Sequence, residues 1–355
     1  MHQKYLYIIG LMSGTSLDGL DMAYIKFNTE NLPDFKIISA ETIPYNSTWQ
    51  TDLKNAFEMS AAALAELDAR YGIYLGQQVN NFIKKHRIKQ VDLIASHGQT
   101  VFHRPENAYT TQIGSGAHIN AVTGIKTICD FRQQDVALGG QGAPLVPVGD
   151  HYLFAHYDYC LNIGGFANIS FEKKRKRIAF DICPANIVLN HYVSQKGLAF
   201  DDKGQIAKSG KLNKELLSAL NRLDFYQGEE PKSLGWEFVT EQIIPLIDAY
   251  HLSIPDILKT YVEHIAIQIG QKTTGGTMLI TGGGAHNSYL IQQIKMYSSA
   301  KVIIPDKILI DYKEALVFGL LGLLKEQQKI NVFSSVTGSR IDHSSGVVFG
   351  AFQAS

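Results

Sequence analysis

Ser13, Gly14, Thr15, Ser16, Asp18 and Gly19 crowd into one short turn between two apolar, β-prone runs, Tyr5–Gly10 and Met22–Phe27. Small residues let backbone amides approach a ligand closely, and Gly14 and Gly19 can take positive φ. Such a turn can form a nest of N–H donors around phosphate oxygens, with Thr15 and Ser16 adding hydroxyl donors. Asp18 supplies a hard carboxylate oxygen able to orient Mg2+ through its water shell. The same residues also make an ordinary hairpin turn, where Gly, Ser and Asp are common for conformational reasons. Both readings stand on this stretch alone.

Two more glycine groups follow. Gly164-Gly165 lies between the expected strands Tyr159–Ile163 and Asn168–Phe171, and Gly282-Gly283-Gly284 ends the strand Met278–Thr281 just before a helix from about Ser288. A strand–glycine turn–helix junction brings backbone and a helix N-terminus against a ligand, often a nucleotide, although a lone GGG also serves tight packing. Phosphoryl transfer needs positioning, charge stabilisation and a carboxylate to take a proton. Asp181 is the candidate base, because it ends the strand Arg177–Asp181 directly before Cys183-Pro184 and a helix expected through Tyr192. An aspartate there also suits a plain turn or helix start.

The elements that must hold these residues come in a repeated order. Phe35–Pro44 reads as a third strand, and the apolar positions from Leu53 to Phe82 recur at helical spacing. That pattern is too long for one helix, so two are expected with a break near Met59–Ser60. The buried-strand pattern Val91–Ser96 delivers a loop His97–His103, and Leu138–Pro144 is glycine-rich enough to read as a hinge or active-site loop. From Asp158 the strand–glycine turn–strand–strand–helix order starts again, roughly 150 residues on, which argues for duplication of one α/β unit. Small residues Ala315, Gly319 and Gly322 suit the apolar helix Glu314–Leu324 to close packing.

The 355 residues predict two domains, 1–138 plus 331–355 and 139–330, and their formal net charge of zero gives no case for nucleic acid or an anionic membrane. The run Lys173–Arg177 reads as a solvated hairpin tip rather than a nucleic-acid patch. No apolar run reaches membrane-spanning length, and no signal peptide is evident. Cys129, Cys160 and Cys183 lack metal spacing and read as reduced thiols of a cytoplasmic protein. His97 and His103 lack a third ligand for zinc.

The glycine turns together suggest a nucleotide clamped in a cleft of a duplicated actin-like (ribonuclease H-like) ATPase fold that closes about a hinge. Several motifs sharpen this: GLMSGTSLDGLD (10–21), SHGQTVFHRP (96–105), QIG (112–114), DFR (130–132), GGQGAPLVP (139–147), NIGGFANIS (162–170) and TGGGAHN (281–287). In these the chain resembles the anhydro-N-acetylmuramic acid kinase family. The resemblance implies an ATP- and Mg2+-dependent kinase of peptidoglycan recycling, which opens the 1,6-anhydro bridge of an amino sugar with water and phosphorylates O6. It further implies that Gly14, Thr15, Ser16, Leu17, Asp18, Gly19, Leu20 and Asp21 bind ATP, with Gly164 and Gly165 at phosphate and Gly282, Gly283 and Gly284 near the nucleoside. Asp181 would be the base and Glu314 its helper. Gln99, Thr100, His103 and Arg132 would line the sugar side, Arg132 facing a carboxylate.

The chain departs from the family pattern at Ser115, Cys183, Ala185 and Trp236, where the family usually has Asp, Gly, Gly and Arg, and at Leu234, where it usually has Thr. A related kinase for another carbohydrate and a chaperone-like ATP-binding protein stay open as alternatives, as does a homodimer.

Overall fold

A computed structural model of the chain describes residues 3–14, 17–228 and 232–350. It divides into two compact units, residues 1–155 with 312–355, and residues 156–311. In unit 1 the strands β1 (Tyr5–Ser13), β2 (Gly19–Asn28), β3 (Phe35–Pro44), β4 (Leu93–Ser96), β7 (Thr127–Cys129) and β13 (Val347–Phe349) form one sheet in the order β13-β7-β4-β1-β2-β3. Strands β5 (Gln99–Arg104) and β6 (Tyr109–Ile113) form a separate two-stranded sheet. In unit 2 the strands β8 (Tyr159–Ile163), β9 (Phe166–Lys173), β10 (Lys176–Pro184), β11 (Thr277–Thr281) and β12 (Lys301–Ile303) run in the order β10-β9-β8-β11-β12.

The two sheets share one plan. Each opens with an antiparallel meander. A fourth strand then pairs parallel to the first, and a fifth parallel to the fourth. This is the duplicated unit of the actin-like, ribonuclease H-like α/β fold, as the repeated order in the sequence predicts.

Strand β1 shows why the sequence folds this way. Ile8, Ile9 and Leu11 have no exposed surface, so the strand is covered on both faces and reads as a continuous apolar run rather than an alternating one. Ser60 caps the helix Ala61–Lys85 by accepting from the Ala63 amide at 3.3 Å, so the break falls at Met59–Ser60 as expected. Leu67, Tyr71, Leu75, Val79 and Phe82 of that helix are buried on one face. On the helix Lys307–Glu326, the small residues allow contact at backbone distance. A Cβ at Gly10 would overlap the carbonyl of Ala315, and one at Gly322 would lie 2.7 Å from the Ala95 Cβ.

Several expectations are corrected. The chain crosses between units at 155/156 and 311/312, not at 138/139 and 330/331. The reason is that helix Val146–Leu153 sets Gly149 directly under Val317, and the helix from Tyr312 onward lies against β1. Residues 99–103 are not loop, because Gln99–Arg104 pairs antiparallel with β6. Pro184 closes β10 and the helix begins at Asn186. Lys174 and Arg175 do form an exposed tip with positive φ, but Arg177 is buried and donates to the Ser170 hydroxyl at 2.8 Å.

The Gly10–Ala315 contact makes a direct prediction. Gly10→Ala forces the helix off the sheet and lowers the urea midpoint, with a loss of about 1–3 kcal/mol. An unchanged midpoint would show that the helix can slide away freely.

Candidate functional site

The first glycine turn connects β1 to β2 as expected, with Thr15 and Ser16 lying outside the described residues. The Leu17 amide donates to the Gly14 carbonyl at 3.2 Å, and Leu17 takes φ 56°. Gly19 has a different role from the one its type suggests. Its φ is not positive, but a Cβ there would lie 2.5 Å from the Ile43 carbonyl oxygen, so it is glycine because β3 passes so close. Leu20 is a core residue with 1 % exposure, so only its backbone can meet a ligand. Asp18 is exposed, and Asp21 accepts from the Thr42 hydroxyl at 2.5 Å.

Behind this turn lies a polar relay. Tyr45, its hydroxyl 2.6 Å from that of Tyr71, donates to Ser13 at 2.8 Å, and Ser13 donates to the Gln99 side-chain oxygen at 2.5 Å. Gln99 is buried, so the relay fixes its carboxamide. Thr100 and His103 join through β6: Gln112 donates to the Thr100 hydroxyl at 3.3 Å and to the Thr110 hydroxyl at 2.8 Å, and His103 Nδ1 lies 3.1 Å from the latter.

Arg132 donates from Nε to His97 Nε2 at 3.0 Å and from Nη1 to the Gly142 carbonyl at 2.7 Å. A guanidinium only donates, so His97 Nε2 must accept and its Nδ1 carries the proton, donating to the Gly98 carbonyl at 2.8 Å. Burial, reinforced by the Arg132 charge, pushes His97 down to about 3, so the imidazole is neutral. Burial lowers Arg132 to about 10, against the pull of Glu314 and Asp135. Glu314 keeps an exposed side chain, yet the protein around it desolvates the carboxylate and raises its pKa. Arg132 opposes that rise and Asp21 adds to it. Gln99, Thr100, His103, Arg132, Glu314 and Asp21 thus share one polar region of unit 1. A cavity of about 300 Å³, whose lining includes Asp68, His97, Gln112, Ser115 and Asp130, adjoins it.

The glycine-rich stretch 138–144 has no regular structure, as expected. Buried Asp135 anchors it, taking the Gly142 amide and the Thr337 hydroxyl at 2.7 Å each. Tyr45, His97, Gln112 and Asp135 were not singled out as site residues from sequence, and Ser13, read there as part of the first turn, is the buried last residue of β1. Of the first four, only His97 and Gln112 carry a signal in the sequence, through the SHGQT and QIG motifs.

In unit 2, Asp181 lies at a register shift of β10 between Asp181 and Cys183, a bulge that re-aims its side chain. Burial raises its pKa, and a hydrogen bond from the Leu234 amide at 2.9 Å opposes the rise. The glycines of this unit fall into two kinds. Gly282 has φ 81°, and a Cβ at Gly284 would overlap the Ile163 side chain, so folding requires both. At Gly164, Gly165 and Gly283 the φ is not positive and a Cβ would meet nothing closer than 3.6 Å. The protein's own packing does not require glycine at those positions, whereas a phosphate pressed against the backbone would. Gly283 also lines a cavity of about 620 Å³ with Asn186, Phe200, Asp202, His286 and Asn287.

Among the described residues no cluster of three or more His, Cys, Asp or Glu side chains could hold a metal, and no helix is long and apolar enough to cross a membrane.

A duplicated α/β unit with a glycine turn after the first strand of each half defines a protein of the actin-like class. The family model for anhydro-N-acetylmuramic acid kinase matches residues 6–351, and the chain belongs to that family. It is 35 % identical to the anhydro-N-acetylmuramic acid kinase of Mannheimia succiniciproducens, over 97 % of this chain and 98 % of that one. It is 33 % identical to the one from Microcystis aeruginosa, over 94 % and 97 %. Among solved structures, the Acidaminococcus fermentans (R)-2-hydroxyglutaryl-CoA dehydratase component A aligns over 91 % of this chain and 99 % of its own, with a TM-score of 0.48 and 11 % identity. A likeness that distant transfers no function.

Gly164→Ala and Gly283→Ala leave the melting temperature within a few degrees but weaken nucleotide binding in calorimetry, whereas Gly284→Ala lowers the melting temperature. Equal nucleotide affinity in the first pair would show that no ligand presses there. Separately, His97 and His264 are both held neutral by burial down to about 3, against an ordinary 6.5. The unfolded chain therefore binds more protons across that window, and unfolding free energy falls as pH drops from 6.5 toward 3. NMR titration of both imidazoles near 6.5 would contradict this.

Proposed function

We propose that the chain is an ATP-dependent sugar kinase that converts 1,6-anhydro-N-acetylmuramic acid, with water, to N-acetylmuramic acid 6-phosphate. Asp181 carries the reading: a half-buried carboxylate with a raised pKa, on a bulge within β10, in a chain of this family. A raised pKa makes a carboxylate a better proton acceptor.

In this reading Asp181 takes a proton from water as the water oxygen bonds to the anomeric carbon. The C1–O6 bond breaks, and O6 is left to attack phosphorus. Bound ATP supplies the γ-phosphoryl group, and Mg2+ would neutralise charge on its phosphates. Gly14, Leu17, Asp18, Gly19 and the backbone of Leu20, with Gly164 and Gly165, are proposed to hold phosphate. Gly282–Gly284 are proposed to sit near the nucleoside, and the cavity lined by Phe200 and Asn186 has the size and mixed lining to accept one. Asp18, exposed beside the turn, would orient the metal through water, as a hard oxygen ligand does.

Arg132 commits Nε and Nη1 to His97 and Gly142, so Nη2 is the guanidinium nitrogen proposed to take the substrate carboxylate. Gln99, Thr100 and His103, fixed by Ser13, Gln112 and Thr110, would meet sugar hydroxyls. Glu314, coupled to Arg132, is proposed to assist at the reacting centre. A second reading keeps the chemistry and changes the sugar, and Ser115 favours it. In the cavity wall this hydroxyl, 2.8 Å from His118 Nδ1, stands where the family pattern has a carboxylate.

Purified protein with ATP, Mg2+ and the anhydro sugar should release ADP and phosphosugar, and a sugar panel separates the two readings. Asp181→Asn keeps the shape and removes the basicity. It should cut kcat by about 10²–10⁴-fold with little change in ATP affinity. A folded variant with near wild-type turnover would end the reading.

A further inference from the structure

Asp181 is gripped by a segment, residues 232–234, that holds none of the candidate catalytic residues. Its amide donates to the Lys232 carbonyl at 3.0 Å, and its Oδ2 accepts from the Leu234 amide at 2.9 Å. Residues 232–234 thus lie along the end of β10 like a short extra strand, with the carboxylate replacing one rung of the ladder. Both ends of the segment close on one aromatic residue. The Lys232 ammonium donates to the Phe225 carbonyl at 2.5 Å and lies 4.3 Å from the centre of the Phe225 ring. On the other side the Phe238 ring sits 5.2 Å from that same ring. Beyond it, Val239 and Ile243 have no exposed surface and root the segment in the unit 2 core.

We propose that residues 232–238 are a positioning strap for the base: Leu234 holds Oδ2 so that Oδ1 faces the water, and Lys232 is the clasp that keeps the strap in place. This rests on Asp181 being the base. It deepens that reading by naming Lys232 and Leu234 as positioning residues. The Leu234 contribution is a backbone amide, which accounts for a side chain as unlike threonine as leucine being accommodated there. An amide donating to a carboxylate favours its ionised form, so its loss raises the carboxyl pKa. Among the described residues of unit 2, the other titratable groups beside Asp181 are Cys183 and Lys232. The Cys183 thiol is buried, pushed far above its usual range and neutral. Lys232 turns its ammonium to Phe225.

The test is the pH profile of kcat in the full-length protein for Lys232→Met, Lys232→Arg, Leu234→Pro and Asp181→Asn. Leu234→Pro deletes the amide hydrogen, and Lys232→Met removes the clasp without removing bulk. Each should move the acid limb up by roughly one pH unit and lower kcat about tenfold at neutral pH, with the KM for ATP unchanged. Lys232→Arg should restore the limb. Should Leu234→Pro fail to fold, Lys232→Met against Lys232→Arg carries the test alone. A limb that stays in place while kcat and melting temperature fall together would make the strap merely structural and overturn the inference. If the limb persists in Asp181→Asn it belongs to another group. The reading of Asp181 as base then fails first and takes the strap's role with it, which separates the two failures.

Discussion

The contact between Gly10 and Ala315 sets the geometry of unit 1. Strand β1 has no side chain at Gly10, so the backbone of the helix Lys307–Glu326 rests directly on the sheet. Residue 314 precedes the contact, and so the depth of packing fixes where Glu314 stands relative to Arg132 and Asp21. Lys313, buried and 2.7 Å from buried Asp150, fixes the rotation of the same turn. The strand carrying Gly10 runs on into the glycine turn, and its neighbour β4 runs on into His97. One close approach therefore sets the register of the turn, the imidazole and the carboxylate together. Such contacts suit a site that needs fixed charges, because packed interiors deform little.

Unit 2 reaches a comparable result by other means. Its meander hairpin holds the start of the following helix, with the Ala185 and Ile187 amides donating to the Gly165 carbonyl at 2.7 and 3.2 Å. That start is satisfied within the protein, and the turn that holds it carries no side chains at residues 164 and 165. Asp181 depends on a segment far along the chain, residues 232–234, whose hold on it is made largely of backbone.

What could be read beforehand follows from this. Strand β1, the helix break at Ser60 and the repeated meander were legible because periodicity, capping and glycine turns are local. The unit boundaries were not, because whether residues 139–155 stay with unit 1 depends on Gly149 meeting Val317, which no local pattern records. Motifs marked the polar positions 99, 100, 103 and 132 but not their support. Tyr45 and Asp135 act through tertiary hydrogen bonds, and Asp135 lies 202 residues from its Thr337 partner. Among the glycines, type alone could not separate Gly284, which packing demands, from Gly164, which it does not.

In the proposed reaction, water is delivered to the sugar while the phosphoryl group goes to O6. Turnover in ¹⁸O-water, sampled by mass spectrometry before the free reducing sugar exchanges its anomeric oxygen, tests it most directly. One ¹⁸O should appear at the anomeric carbon, with none in the phosphoryl group and no labelled inorganic phosphate. Label in phosphate, with the anhydro sugar intact, would mean that water attacks ATP instead and would contradict the account.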